Sequence, residues 1–410
     1  MLLRLRAIPF ALVLLSAACT TPKSEDKSVP PHVTRAREIA AALADAGTKV
    51  DADDPESCAA CHTAIVGEWR ESMHSRAHQG NDPIYAGMRT LRLGKEGPEL
   101  ASKCSNCHHP RDVADAESKV ARAGVSCATC HNLSDVHVGK KGGEALTRGP
   151  DNLMRGPHDI AADTSPVHGS GPALPAIADG KTLCLACHAE EKNKAGVPTC
   201  TTGVEMASVN DTRTCVSCHM PEVKAPNGPV SPRTTHLSHA FLGPHRAWLQ
   251  NDPTLLRDAV GMTGRFDGER LVIALENKSG HGFPSGFPAR MAMVVVRGLD
   301  AKGAEVWRNI KSDPMADHPE AVLNKVYLDA DGAPTLAAFS VKLARDNRLK
   351  PGERREISAA VPAGVARAEI TLKFWLVAPP AAKKLGVAEA PEAKPVDALK
   401  ITVERPAARP

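Results

Sequence analysis

Five copies of the pattern Cys-x-x-Cys-His are the residues of this chain best suited to carry chemistry. Two thiols two residues apart can add to the two vinyl groups of one haem, and the next imidazole can bind its iron. Histidine makes up only 17 of the 410 residues, so a histidine after all five cysteine pairs is not a chance pattern. The sequence therefore predicts five covalently attached c-type haems. The attachment cysteines are Cys58, Cys61, Cys104, Cys107, Cys127, Cys130, Cys184, Cys187, Cys215 and Cys218, and the proximal histidines are His62, His108, His131, His188 and His219.

Zinc is the main competitor for such cysteines. A zinc ribbon would use them as pairs of pairs and would not need a histidine after each pair. Ten of the twelve cysteines fall in the motifs, which leaves only Cys19 and Cys200 and no basis for a disulfide framework. Cys200 has no histidine or cysteine at ligand spacing. It is predicted to be an inert thiol, with a sulfur ligand to a haem as the alternative.

The first residues of the chain indicate export. Arg4 and Arg6 give a positive start, residues 7–15 are apolar, and small residues follow. The apolar run is shorter than the roughly 20 residues that span a bilayer, so residues 1–18 predict a secretory signal peptide. Cys19 directly follows Leu-Ser-Ala-Ala and predicts a bacterial lipoprotein, with plain cleavage and a soluble product as the alternative. Either way we expect a periplasmic, outer-membrane or cell-surface protein.

The composition agrees with a core built around cofactors. Only 3% of the residues are aromatic, and five porphyrins would supply the missing planar apolar volume. Each haem also brings two propionates, which together would outweigh the formal net charge of +4. The charge of the sequence therefore says little about steering of partners. No basic run suited to nucleic acid occurs, so nucleic-acid binding is not expected.

All five motifs lie in residues 33–255, where short helices joined by Gly-, Pro-, Asn- and Asp-rich loops are predicted. The clearest helix is Thr34–Ala46, with Thr34 as its N-cap and Gly47 as its stop. Iron–histidine and thioether bonds are expected to organise this region in place of a continuous apolar core. The polar, Pro-rich residues 19–32 before it predict a flexible tether.

The pattern changes over residues 262–405, where short apolar runs alternate with turn signals. Six or seven such runs predict an antiparallel β-sandwich, and residues 378–395 are predicted to form a loop before the last strand. The fold class is therefore α+β, with a haem-organised, mostly helical and loop cytochrome domain followed by an antiparallel β-sandwich domain. The predicted strands lie at 271–275, 291–296, 305–307, 357–361, 369–376 and 399–403.

Twelve histidines outside the motifs compete to be the sixth ligands of five irons. His74 and His78 lie four residues apart on one helix face, so one could ligate while the other binds a propionate. His281 lies in a Gly- and Pro-rich loop that could close the haem stack from the second domain. Position alone leaves open His74 or His78, His109, His137, His168 or His158, a member of the group His236, His239 and His245, and His281, whereas His318 is predicted to be exposed.

Several stretches around the motifs resemble a family of multihaem cytochromes c. This family includes hydroxylamine oxidoreductase, its tetrahaem cytochrome partner and pentahaem nitrite reductase. The loop Gly280–Gly286 is similar to part of a β-domain appended to some electron-transfer members. The resemblance implies close-packed haem pairs with two histidines per iron. The stretches that carry it run from Trp69 to His74, Gly124 to His131, Ser165 to His168, Cys215 to Pro221 and His239 to Gly243. It favours as distal ligands His74, His137, His168, His239 and His281, with His245 in reserve.

The family contains both enzymes and electron carriers, and two departures favour a carrier. Pentahaem nitrite reductase uses a lysine at its catalytic haem, whereas all five motifs here end in histidine. Hydroxylamine oxidoreductase links its catalytic haem to a tyrosine, and neither Tyr85 nor Tyr327 lies in a matching motif. An iron with two histidines has no open site and passes electrons. We therefore expect an electron-transport protein of a respiratory chain rather than an enzyme.

Two alternatives stay open at this point. The first is a reductase of a small nitrogen or sulfur oxyanion at one five-coordinate haem. The second is a surface assembly or adhesion module that acts through the β-domain. The expected partners are a redox protein that donates electrons, another that accepts them, and a membrane reached by the lipid on Cys19.

Overall fold

The computed structural model describes residues 29–150, 152–161, 165–209 and 212–406. The predicted signal peptide, Cys19 and most of the predicted tether lie outside these residues. Within the described part of the chain, no helix is both long enough and apolar enough to cross a bilayer.

Short helices separated by loops make up the part of the chain before residue 260. They bury few large side chains, in keeping with a region that lacks a continuous apolar core. Four two-stranded pairings of a few residues interrupt or accompany them. The described helices are α1 Pro31–Asp45, α2 Thr63–Glu71, α3 Pro83–Glu96, α4 Leu100–His108, α5 Lys119–Arg122, α6 Cys127–His131, α7 Pro175–Ala178, α8 Thr182–His188, α9 Thr202–Ala207, α10 Cys215–His219, α11 Arg246–Leu249, α12 Thr254–Ala259, α13 Pro314–Asp317 and α14 Pro379–Lys384.

Three of these pairings are small antiparallel sheets, β1 with β2, β3 with β4 and β5 with β6, and the fourth is a single parallel bridge between Leu153 and Gly169. The longer strands all follow residue 260. The described strands are β1 Leu133–Val136, β2 Leu146–Arg148, β3 Glu191–Lys192, β4 Pro198–Cys200, β5 Glu222–Val223, β6 His236–Leu237, β7 Val260–Asp267, β8 Arg270–Asn277, β9 Met291–Leu299, β10 Glu305–Arg308, β11 Val322–Leu323, β12 Lys325–Leu328, β13 Pro334–Thr335, β14 Lys342–Asp346, β15 Arg354–Ala360, β16 Arg367–Trp375 and β17 Val396–Glu404.

Helix α1 begins three residues before the predicted start. Pro31 is its first residue, and Pro30 rather than Thr34 precedes it. Proline suits this position because its fixed φ matches a helix and its missing N–H would have no partner there. The predicted stop is close to the observed one, since the helix ends at Asp45 and Gly47 has a φ of 69°. Glycine adopts this left-handed conformation without the strain that a side chain would add.

The C-terminal region is β-rich and antiparallel, which confirms the predicted α+β fold class. One sheet has the order β10-β9-β16-β17, with β11 also paired to β9, and a second has the order β15-β8-β7. A third, small sheet has the order β13-β12-β14. Strands β8 and β16 contribute alternate residues to a shared core, including Leu271, Ile273, Ile370 and Phe374. Full burial of each such side chain stabilises the fold by about 1.5–3 kcal/mol.

The prediction of a loop over residues 378–395 is wrong in part. Helix α14 covers Pro379–Lys384, and a 3-10 turn covers Pro391–Ala393. Ala382 and Leu385 are buried in an apolar cluster with Leu336. The many alanines and lysines of this stretch are good helix formers, and tertiary burial of the helix gives them a packing partner that the local sequence does not reveal.

Candidate haem sites

Four of the five Cys-x-x-Cys-His motifs end a helix, with the histidine as its last residue. The second and fourth motifs form the C-terminal turns of α4 and α8, and the third and fifth motifs are α6 and α10 themselves. The first motif begins in the 3-10 helix Pro55–Ala60 and ends at His62, directly before α2. A helical turn places the two cysteines and the histidine of each motif on neighbouring positions. This is the arrangement that one haem edge and its iron require.

All five motifs line one large internal cavity. Its volume is about 3340 Å³, well beyond the roughly 300–1,000 Å³ of a pocket for one small ligand or cofactor. Divided among five motifs, the volume gives each a share within that range. The space is therefore of the size that several planar cofactors need.

The described residues do not contain the cluster of ligands that a zinc site requires. They contain no cluster of three or more His, Cys, Asp or Glu side chains that could hold a metal ion. Their cysteines are all free thiols. The motif thiols are therefore available for thioether bonds.

Four of the motif histidines face a second imidazole across the cavity. Two imidazole–metal bonds of about 2 Å, with about 1.1 Å from each nitrogen to its ring centre, would separate ring centres by about 6 Å. The four observed separations agree with this spacing, so each pair could hold one iron. The pairs are His62 with His168 at 6.3 Å, His131 with His239 at 6.1 Å, His219 with His281 at 6.5 Å and His188 with His74 at 6.4 Å.

The sequence favours ten histidines as ligands, namely the five motif histidines and five distal ones. Hydrogen bonds from Nδ1 orient six of these ten rings. Because a carbonyl oxygen can only accept, each Nδ1 carries the hydrogen and leaves Nε2 free for a metal. The donors and acceptors are His131 to Arg155 at 2.6 Å, His108 to Ala77 at 2.8 Å, His239 to Leu237 at 2.8 Å, His168 to Gly169 at 3.1 Å, His281 to Gly282 at 3.2 Å, and His219 to Leu242.

The other four of the ten ligands favoured from the sequence are His62, His74, His188 and His137. Burial lowers the pKa of His62 to about 4 and that of His74 to about 3, and it also lowers the pKa of His188. These three imidazoles are therefore neutral at pH 7, which is the form that binds metals. Nδ1 of His74 is buried without a hydrogen-bond partner in the described residues, so this ring lacks the backbone anchor that the six others have.

His137 is placed apart from the cavity. Its ring is exposed to solvent, and Nε2 hydrogen-bonds to the Thr147 hydroxyl at 2.7 Å. Its Nδ1 lies 3.7 Å from the Asp135 carboxylate. The structure does not bring it opposite any motif histidine. The closeness in sequence to His131, on which the prediction relied, reflects a β-turn connection in which the side chain points outward.

His245, the reserve ligand, lines the cavity but does not pair with a motif histidine. Burial, followed by the nearby charges of Arg290 and Arg76, lowers the pKa of His245 to about 3. The prediction that His318 is exposed is wrong, because its side chain is buried and Nδ1 lies 3.1 Å from the Asn309 amide. The polar sequence Asp-His-Pro-Glu around it does not reveal the strand that covers it.

The motif histidine His108 differs from the other four. Among the described residues, no second imidazole faces it at the spacing of the other pairs. Instead the ring of Tyr85 from α3 stacks on it, with ring centres 3.6 Å apart and an angle of 6° between the planes. Burial raises the pKa of Tyr85, and the Arg89 guanidinium lies beside its hydroxyl. Arg89 and Arg92 also lie within electrostatic range of the Cys104 thiol.

Two buried histidines near His108 hydrogen-bond to backbone groups. His78 uses both ring nitrogens, because its Nε2 donates to the Ala116 carbonyl at 2.7 Å and its Nδ1 accepts from Gly80 at 3.0 Å. His109 uses only Nδ1, which donates to the Asp112 carbonyl at 2.8 Å, and its Nε2 is buried without a hydrogen-bond partner among the described residues. The two rings lie 5.5 Å apart. They form a packed pair beside the second motif rather than a pair across an iron.

Residues without any ligand-like sequence signal hold the distal imidazoles in place. The Glu68 carboxylate accepts the His239 backbone N–H at 2.8 Å and lies 3.0 Å from Nε2 of His236. Gly124 lies against His74, where a Cβ would come within 2.5 Å of the His74 carbonyl oxygen. Glycine is therefore required at this position, next to the third motif. Phe241 packs edge-on against His74, with ring centres 4.1 Å apart.

The β-rich C-terminal region holds His281 in place through a clamp of buried polar groups, to which helix α9 contributes Glu205. Glu205 of α9 accepts the Gly282 N–H at 2.8 Å and forms an ion pair with Arg348 at 2.7 Å. Both charged side chains are mostly buried, with 15% and 9% of their surfaces exposed. Asn277 adds a hydrogen bond to the His281 carbonyl at 2.7 Å. The loop is thus fixed from both sides, and His281 has little freedom to leave its position opposite His219.

Glu205→Gln is expected to destabilise the holoprotein by about 2 kcal/mol, because a buried hydrogen bond to a charged group contributes about 1.5–3 kcal/mol. Thermal unfolding followed by circular dichroism should show a midpoint a few degrees lower. Glu356→Gln is the matched control, since Glu356 forms an exposed ion pair with Arg265 at 2.7 Å. Such a pair contributes at most about 1 kcal/mol. Equal shifts in the two variants would contradict the clamp.

Interactions between thiols indicate which motifs are neighbours. The thiol of Cys58 in the first motif lies close enough to that of Cys127 in the third to perturb its pKa, and the same holds for Cys107 of the second motif and Cys187 of the fourth. Cys184 of the fourth motif is related to Cys215 of the fifth in the same way. Cys130 of the third motif lies within electrostatic range of the fourth. The fourth motif is therefore the junction between the second, third and fifth, and the first motif adjoins the third.

Known proteins resemble this chain both in sequence and in fold. The family described as "Cytochrome c554 and c-prime" matches residues 57–132, which contain the first three motifs. No curated protein matches the chain in sequence. The solved structure of a "penta-heme cytochrome c552 from Thermochromatium tepidum" shares its fold, with a TM-score of 0.70 and 24% sequence identity over 85% of this chain and 97% of that chain.

These matches and the five motifs together support a multihaem c-type cytochrome with five covalently bound haems. The family match covers less than a fifth of the chain, and it carries the haem attachment chemistry of the first three motifs. The structural match supports the assignment of the fold.

Proposed function

We propose that this protein is a pentahaem c-type cytochrome that passes electrons between redox proteins. The observation that carries the proposal is the set of four imidazole pairs with ring centres 6.1–6.5 Å apart across one cavity. An iron held by two histidines has no position for a substrate, and its remaining role is to gain and lose one electron. Four of the five motifs are arranged for that role.

The adjacency of the motifs supports the same proposal. Close thiols link the first motif to the third, and the fourth to both the second and the fifth, while Cys130 brings the third motif within electrostatic range of the fourth. No motif stands apart from the others.

Residues of the chain orient the ligand imidazoles and keep them in the form that binds metals. Backbone carbonyls hold the Nδ1 hydrogens of six imidazoles, and burial keeps the imidazoles of His62, His74 and His239 neutral by lowering each pKa to about 3–4. Phe241 packs edge-on against the rings of both His74 and His239 and restricts their movement. Fixed ligands of this kind change little in geometry when an electron arrives, which suits rapid transfer.

The setting that we propose follows from the sequence. The motif resemblance favours a relation to the family of hydroxylamine oxidoreductase and its cytochrome partners, with the β-domain as an appended module that supplies His281. The signal-like residues 1–18 support export, and Cys19 supports a lipid anchor on a periplasmic, outer-membrane or cell-surface protein. The partners would then be a donor and an acceptor of a respiratory chain.

A reductive titration with a haem assay tests this proposal. The purified holoprotein should contain five haems and take up five electrons per chain. Replacing both cysteines of the fifth motif, Cys215→Ser and Cys218→Ser, should lower the covalently bound haem from five to four. Cys200→Ser, outside the motifs, should leave it at five. A wild-type protein with fewer than five covalent haems, or one that takes up fewer than five electrons, would contradict the proposal.

The second motif favours one further candidate function. His108 lacks a facing imidazole among the described residues, and two guanidinium groups and a phenol lie near it. Cationic and hydroxyl groups beside an open iron position would suit a small oxyanion. We infer that this motif could support reduction of a small nitrogen or sulfur oxyanion, with the other four motifs supplying electrons.

A further inference from the structure

Arg290 is a half-buried cation with no carboxylate beside it. It lies directly before β9 in the β-domain and lines the cavity. Its described hydrogen bond goes to the neutral Ser285 hydroxyl at 3.2 Å. Among the described residues, no carboxylate lies within 4 Å of its guanidinium. Desolvation lowers the pKa of Arg290 to about 10, so the group remains charged at pH 7.

The acids closest to this guanidinium are already engaged. Asp82 lies within electrostatic range, but its carboxylate accepts the N–H groups of Ile84 and Tyr85 at the start of α3. An unpaired charge that has lost part of its water is unfavourable, and proteins normally supply it with a partner of opposite sign. On the cavity side of Arg290, no acidic side chain of the described residues is available as a partner.

A second cation borders the same place. Lys325 of β12 is buried, and its ammonium donates to the Thr201 hydroxyl at 3.1 Å. Both Lys325 and Arg290 lie within electrostatic range of the Cys200 sulfur. The acids near Lys325, Glu205 and Asp346, are each paired with Arg348 at 2.7 Å. Two cations of the β-domain thus face the cavity without acids of their own.

We propose that Arg290, with Lys325 beside it, forms a carboxylate-binding site that holds a haem propionate from the fourth or fifth motif. Arg290 lies within electrostatic range of His188 of the fourth motif and of His281, which faces the fifth. The guanidinium fork matches a carboxylate in shape and charge. The β-domain then contributes an anion partner as well as a histidine. This inference rests on the haem attachment proposed above, which the haem count tests separately.

Potentiometric titration of the holoprotein, followed by its visible spectrum, tests the site. A nearby cation stabilises the reduced, less positive iron. In Arg290→Gln, at least one midpoint should therefore fall by the equivalent of a tenfold change in the oxidised-to-reduced ratio, which is 59 mV for a one-electron couple. Arg290→Lys keeps the charge and loses the fork, so it should shift the same midpoint by a smaller amount. Arg265→Gln, an exposed change on β7, should leave all midpoints unchanged.

Two results would overturn the site. One is an Arg290→Gln protein with five bound haems and wild-type midpoints; if that variant loses haem, unchanged midpoints in Arg290→Lys overturn the site instead. The other concerns a free anion as the occupant. Sodium formate, compared with sodium chloride at equal ionic strength, should not shift the wild-type midpoints, because the propionate already fills the site. A saturable shift with formate that Arg290→Gln abolishes would show that a solution anion binds there.

Discussion

His281→Ala is expected to convert one low-spin haem of the five into a high-spin haem. His281 is the imidazole that faces His219 at 6.5 Å, and the clamp of Glu205 and Arg348 holds its loop in place. Alanine removes this ligand, and the described residues offer no other imidazole at that spacing from His219. Electron paramagnetic resonance should show the high-spin signal, and the reduced variant should bind one more carbon monoxide per chain than the wild type.

His137→Ala is the matched control for this change. Both residues are favoured as ligands by the sequence, but His137 is exposed and bonded to Thr147. Its removal should leave the spectrum and the carbon monoxide stoichiometry unchanged. A wild-type spectrum in His281→Ala, or a new high-spin signal in His137→Ala, would contradict the imidazole pairing proposed here.

Carbon monoxide is expected to bind one haem per chain in the reduced wild-type protein, at the second motif. The reason is that, among the described residues, no imidazole faces His108 at the spacing of the other four pairs, since the Tyr85 phenol packs on the face of the His108 ring rather than opposite its Nε2. Optical titration gives the stoichiometry directly. Absence of carbon monoxide binding would mean that a sixth ligand closes this iron too, and it would leave electron transfer as the function of all five motifs.

Nitrite then tests whether the second motif can take an oxyanion. Arg89→Gln should weaken nitrite binding about tenfold or more, since a hydrogen bond to a charged group contributes about 1.5–3 kcal/mol. Arg35→Gln is the matched control because Arg35 pairs with Glu38 on the exposed side of α1. Equal nitrite affinities in the wild type and Arg89→Gln would argue against an oxyanion site at His108.

In the β-rich region, local sequence patterns predict some elements of secondary structure and miss others. Alternation at Ile370, Leu372 and Phe374 predicts β16 because side chains of a strand point to opposite faces in turn. The short strands β11 and β13 escape prediction, since two residues carry no periodicity. Helix α14 escapes because its support comes from Leu336, which lies more than forty residues before it in the sequence.

Among the candidate haem ligands, some are identified by a local motif and others only by the fold. Each Cys-x-x-Cys-His motif is a local signal of five consecutive residues, so the sequence by itself determined the attachment cysteines and the proximal histidines. The facing imidazoles come from distant positions, and His62 and His168 are separated by more than a hundred residues. No spacing rule connects residues so far apart. Only the tertiary structure brought His168, His239, His281 and His74 opposite their partners and placed His137 outside.

The tertiary structure also decided the features that distinguish one motif from another. The five motifs are chemically alike in sequence and predict five equivalent sites. Packing breaks this equivalence: Tyr85 lies on His108, Glu205 of α9 fixes the loop that carries His281, and Arg290 lines the cavity from the β-rich region. These differences arise from contacts between residues that are remote in the chain. The sequence therefore determined how many haems attach and where, and the fold decided what surrounds each of them.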